Sequence, residues 1–112
     1  MRSVSTHVLD ITRGRPAAGV PVTLEKKDDS GYVRLEACTT DADGRVKELV
    51  PEGELETGTY RLTFDTGAYF GAQGVEGFYP EASIVFVVRD AAAHYHVPLL
   101  LSPFGYSTYR GS

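Results

Sequence analysis

Cysteine is almost absent from this 112-residue chain, where Cys38 stands alone. A single thiol excludes an internal disulfide and fits a reducing compartment. A catalytic thiol needs a nearby base, and without one Cys38 reads as a small, half-buried hydrophobe. Basic residues are also scarce. Lys and Arg number 11 against 15 Asp and Glu, the net charge is −4, and the two signs are interspersed. With no basic stripe, no nucleic-acid partner is expected. Long apolar runs are missing too. Ile84 to Val88 and Val97 to Leu101 suit buried strands and are far too short to cross a bilayer, so no membrane partner is expected. The opening MRSVSTHVLD has no apolar h-region, which predicts a chain without a secretory signal and a cytoplasmic location. There is no internal repeat, low-complexity tract or linker, and the length suits one domain over residues 1–112.

What the chain does have is a period of two. Val20, Val22 and Leu24 alternate with Pro21, Thr23 and Glu25, and Tyr60, Leu62 and Phe64 alternate with Arg61, Thr63 and Asp65. Such alternation predicts strands with one buried face. Val4 to Ile11, Tyr32 to Cys38, Arg45 to Glu48, Ala82 to Arg89 and His94 to Leu101 are further strands, with Gly105 to Tyr109 as a short last one. Gly14 to Gly19, Asp28 to Gly31 and Asp41 to Gly44 supply turns, and Pro51 to Gly58 an acidic loop. Thr66 to Glu76 breaks the pattern and predicts a short helix capped by Thr66, weakened by its glycines. The expected fold is all-β, an antiparallel β-sandwich of roughly seven or eight strands with one short helix.

Candidate chemistry is sparse. Asp41-Ala42-Asp43-Gly44 lacks the bidentate Glu and the following helix of a calcium loop, and reads as a turn. His94 and His96 lie one residue apart on a predicted strand, so their side chains leave one face. With His7 they could supply zinc ligands, but nothing forces that geometry, and the expectation is no metal. A general base is the other use of an imidazole, whose ordinary pKa of about 6.5 suits proton transfer near neutrality. Ser102, Ser107 and Ser112 carry no nucleophile-elbow pattern. From these residues alone the chain is a small β-sandwich with a candidate His/Arg site.

The combination reaches further. Ser5-Thr6-His7-Val8-Leu9-Asp10, the Gly14 to Val20 turn, Asp43-Gly44-Arg45, and the C-terminal HYHVPLLLSP and YSTYRGS together resemble the 5-hydroxyisourate hydrolase family, which shares the transthyretin fold. The likeness runs in order from about residue 4 to residue 112. The glycine–proline turn and Asp-Gly-Arg are weak signals. His-Tyr-His-Val-Pro and the ending Tyr109-Arg110-Gly111-Ser112 are strong, because the hormone-carrying transthyretins lack them.

The resemblance implies a transthyretin-like sandwich that opens the six-membered ring of 5-hydroxyisourate, an unstable product of urate oxidation, by attack of water on a ring carbonyl. It implies a site of His7, Arg45 and His96, with Tyr109, Arg110, Gly111 and Ser112 as substrate-binding residues and no cofactor. His96 or His7 would be the base, and Arg45 would hold the oxygen-rich heterocycle and the developing oxyanion. His94 would be a supporting or exposed residue. It also implies a homotetramer, a dimer of dimers, with the tail held in a channel between subunits. Two rivals remain at this point: a transthyretin-like small-ligand carrier, and a non-catalytic module for protein contacts.

Overall fold

The computed structural model describes residues 3–51 and 53–112, and Glu52 of the expected acidic loop lies outside the described residues. Two sheets form from the alternating segments. The first holds β1 (Val4–Asp10), β2 (Arg15–Pro16), β5 (Arg45–Val46), β8 (Tyr95–Ser102) and β9 (Gly105–Thr108). Its order is β2-β1-β8-β9, with β5 also paired to β1. The second runs β4-β3-β6-β7, from β3 (Pro21–Asp28), β4 (Gly31–Thr39), β6 (Gly58–Phe64) and β7 (Ala82–Val88).

The inward residues meet between the sheets. Val4 and Val8 of β1, Val22 and Leu24 of β3, Leu62 and Phe64 of β6, and Leu99 and Leu101 of β8 are all buried there. Each such side chain contributes about 1.5–3 kcal/mol by leaving water. The alternation is therefore the cause of the sandwich, because only one face of each strand repays burial.

Three features differ from expectation. β1 and β8 pair in parallel, from Val4 opposite Tyr95 to Asp10 opposite Leu101, inside an otherwise antiparallel fold. Arg15–Pro16 lies within the expected Gly14 to Gly19 turn, yet pairs with Leu9 and Asp10 as a short edge strand. Proline is tolerated there because an edge strand has one unpaired side. The helix α1 spans Thr66–Gly71, and Asp65 caps it by accepting a 2.9 Å bond from the Ala68 amide. Thr66 is not the cap because its hydroxyl donates to the Tyr79 carbonyl at 2.7 Å. Cys38, as expected, is half-buried against the core. Burial pushes its thiol pKa up, and Glu36 adds to this.

Candidate active site

Strand register assembles the site. Ser5 and His7 are two apart on β1 and leave its face opposite to Val4 and Val8. Ser5 pairs with His96 of β8, and His7 pairs with Arg45 of β5. Cross-strand partners share a face. Four chemistry-bearing residues are thus brought to the outer face of one sheet.

The turn before Arg45 is tightly built. The Asp41 carboxylate accepts from the amides of Asp43 at 2.9 Å and Arg45 at 3.0 Å. Gly44 sits at φ +74°, and a Cβ there would stand 2.6 Å from the Val8 carbonyl oxygen. Only glycine fits this approach, which lets the Gly44 carbonyl accept from the Val8 amide at 2.8 Å. Arg45 is thereby pinned beside β1.

His94 and His96 both reach Ser5. Its Oγ lies 2.9 Å from His94 Nε2 and 2.7 Å from His96 Nδ1. The place where a two-histidine ion would sit therefore holds a hydroxyl. Among the described residues, His96 Nε2 has no hydrogen-bond partner and is not sealed from solvent, unlike His7 Nε2 and His94 Nδ1, which are buried without partners. His96 Nε2 is the nitrogen available to a ligand.

Ser5, His94 and His96 line a cleft of about 320 Å³ with Arg45, Lys47 and Ser112. His96 has its pKa lowered, first by burial and then by the neighbouring His7, His94 and Arg45. Both causes keep the imidazole neutral and able to accept a proton near neutral pH. The two cations suit an oxygen-rich or anionic ligand.

The tail divides. The Gly111 amide donates to the His96 carbonyl at 2.8 Å, which closes a β-bridge and brings Ser112 to the cleft. Tyr109 and Arg110 instead line a second, apolar cavity of about 250 Å³ with Ile84, Phe86, Tyr95 and Val97. Arg110 lies over the Tyr95 ring at 4.7 Å. His96 borders both cavities. The structure therefore brings Arg45, His96 and Ser112 together. It places His7 in register beside them and Gly111 against the His96 ring, and it sets Tyr109 and Arg110 apart. Ser5 and Lys47 were not singled out in the sequence. The alternation along β1 was the signal for Ser5, since it shares the face of His7.

A cleft of imidazoles and an arginine on the outer face of a two-sheet sandwich defines a transthyretin-like protein with the makings of a hydrolytic site. The chain belongs to the HIUase/Transthyretin family, whose model matches residues 4–111. It is 50% identical over 109 residues to a 5-hydroxyisourate hydrolase of Salmonella dublin, covering 97% of this chain and 80% of that one. Among solved structures, it is 41% identical to the 5-hydroxyisourate hydrolase of Klebsiella pneumoniae, with a TM-score of 0.88, covering 100% of this chain and 94% of that one. Against the transthyretin of Sparus aurata it reaches a TM-score of 0.92 at 34% identity, covering 99% and 97%. The sandwich thus matches hydrolase and transthyretin alike, and the site must separate them.

Proposed function

We propose that this chain hydrolyses 5-hydroxyisourate. The observation that carries this reading is the cleft itself, in which His96 presents a free Nε2 beside Arg45 and Ser112. His96 takes a proton from water as the oxygen attacks a ring carbonyl of the substrate. Such a base contributes about 10²–10⁴ in rate. Arg45 holds the oxyanion that develops, the ring C–N bond breaks, and the proton passes to the departing nitrogen. His7, beside Arg45, is the second candidate base. Ser112 and Gly111 bound the substrate's polar edge, and Tyr109 and Arg110 complete it on assembly with neighbouring subunits. No cofactor is needed for these steps.

The reading extends to a single domain over residues 1–112, a homotetramer, a cytoplasmic location and a place in the breakdown of purines. The family resemblance supports the tetramer. So do the exposed Val85 and Val87 on edge strand β7 and Tyr106 on edge strand β9, because open edges invite pairing. Among the described residues, no helix is long and apolar enough to cross a membrane. A small-ligand carrier would share the sandwich but has no use for a free imidazole nitrogen beside a guanidinium.

The test is ultraviolet decay of 5-hydroxyisourate generated in situ by urate oxidase. Clear acceleration over the uncatalysed decay is expected. None, from folded protein, would remove the hydrolase reading and leave the carrier. Light scattering of the active sample is expected to give a tetramer, and a monomer alone would rule that out.

A further inference from the structure

We infer that Ser5 and His94 form a hydrogen-bonded chain behind His96 that keeps its Nε2 free as the base and ties its work to the protonation state of His94. The inference rests on the hydrolase reading and assigns roles that the family resemblance does not.

A serine hydroxyl carries one proton and accepts through its lone pairs. Among the described residues, the partners of Ser5 Oγ are His96 Nδ1 at 2.7 Å and His94 Nε2 at 2.9 Å. The hydroxyl donates to only one of them at a time. When His96 takes a proton from water on Nε2, it carries N–H on both ring nitrogens. Its Nδ1–H then donates to Ser5 Oγ, and the serine proton is left for His94 Nε2. The working arrangement therefore runs from His96 Nδ1–H to Ser5 Oγ, and from Ser5 O–H to His94 Nε2. His94 must be neutral, with its own proton on Nδ1.

Protonation of His94 reverses the chain. Its Nε2–H donates to Ser5 Oγ, and the hydroxyl proton turns to His96 Nδ1. Neutral His96 then holds its proton on Nε2 and has no lone pair there for water. The proton balance of the reaction is unchanged throughout: one proton moves from water to Nε2, then to the nitrogen released from the ring, and the Nδ1 proton stays. The other charged or titratable groups facing this chain are Arg45 from β5 and Lys47 just after it, which line the cleft, and His7 from β1, whose charge acts on His96. Arg110 lies beyond β8 on the second cavity. Ser5 and His94 are positioning residues, since they act through His96.

Long-range proton–nitrogen correlation spectra of the imidazoles read the tautomers directly, without substrate. In the wild-type protein, above its titration, His96 is expected to carry its proton on Nδ1. Ser5→Ala should lose that preference and lower kcat about 10- to 100-fold, the range typical of partners that orient a working imidazole. KM should change less, and Ser5→Thr, which keeps the hydroxyl, should restore most of kcat. The acid limb of the wild-type kcat profile should be steeper than one ionisation. His94→Gln, whose carbonyl accepts the serine proton but does not titrate, should reduce it to one. A wild-type His96 protonated on Nε2 overturns the inference even if Ser5→Ala fails to fold. So does a folded Ser5→Ala with wild-type kcat and acid limb. Failure of the wild-type protein to accelerate 5-hydroxyisourate decay would instead remove the hydrolase reading, while the spectra still report on the chain of hydrogen bonds.

Discussion

Replacing Gly111 by alanine tests whether the tail shapes the cleft. A Cβ at residue 111 would crowd the His96 side chain, 3.1 Å from ring atom Cγ and 3.3 Å from Cβ, with ring atom Cδ2 nearer still. Ordinary contacts between carbons lie at about 3.5–4.0 Å. The Gly111 amide also holds the His96 carbonyl at 2.8 Å, so the backbone resists moving away. Either the ring turns or the bridge opens, by on the order of 1 Å, and a misplacement of that size costs about 10²-fold in rate. Because residue 111 is half-buried and lies outside the hydrophobic core, the melting temperature should shift little. Gly111→Ala is therefore expected to lower kcat/KM by about 10²-fold in the ultraviolet decay assay, with a nearly unchanged thermal melt. Deletion of Gly111 and Ser112, or a tag placed after Ser112, should act in the same direction. A tag at Met1, which lies outside the described residues, should matter less, because several residues separate it from His7. Full activity from Gly111→Ala and the truncation, with the melt intact, would show that the tail neither packs on His96 nor serves the site.

His96→Asn keeps polarity but removes the basic nitrogen that takes up a proton near neutral pH, so kcat should fall by about 10²-fold or more with the fold intact. Wild-type kcat in that variant would make His7 the base. Because the pKa of His96 is lowered from its ordinary 6.5, the single ionisation left in the kcat/KM profile of His94→Gln should have a midpoint below 6.5. A midpoint at or above 6.5 in that variant contradicts the electrostatic account. The same shift has a sign for stability: below pH 6.5 the unfolded chain takes up this proton before the folded one, so His96 should weaken the fold progressively as pH drops from 6.5 toward its lowered pKa. Chelators should leave activity unchanged, since Ser5 Oγ occupies the point where His94 and His96 converge. Loss of activity in EDTA, restored by zinc, would revive a metal site.

The core was legible because alternation in Tyr60 to Phe64 and Val20 to Leu24 has one physical meaning, a strand with a buried side. The parallel β1–β8 pairing was not, because nothing local in Ser5 or His96 names a partner about ninety residues away. The helix cap was misplaced for a related reason. Asp65 and Thr66 are both good caps, and only the distant Tyr79 carbonyl decides which hydroxyl or carboxylate is free. The placement of His7 opposite Arg45, and of His96 on the neighbouring strand, agrees with the pattern they resemble. The division of the tail was not legible, since it follows from a backbone bridge at Gly111 that turns Ser112 one way and leaves Arg110 on the Tyr95 ring.

The parallel pairing of β1 with β8 also bears on how the protein is made. Ser5 and His96 are separated by 91 positions in the chain, as are Thr6 and the Val97 carbonyl it donates to. During synthesis, at about 5–20 residues per second, β1 waits several seconds for its neighbour. The hairpin of β3 and β4 closes early, because its loop is short and its entropy cost small. β1, made before the other strands of the two sheets, is one of the last to be sealed on its β8 side, and that edge stays open to wrong partners meanwhile. The cleft, which needs both strands, is completed only with the final docking step. A nascent chain stopped before His94 would hold one sheet, β4-β3-β6-β7, only the β1, β2 and β5 part of the other, and no complete cleft.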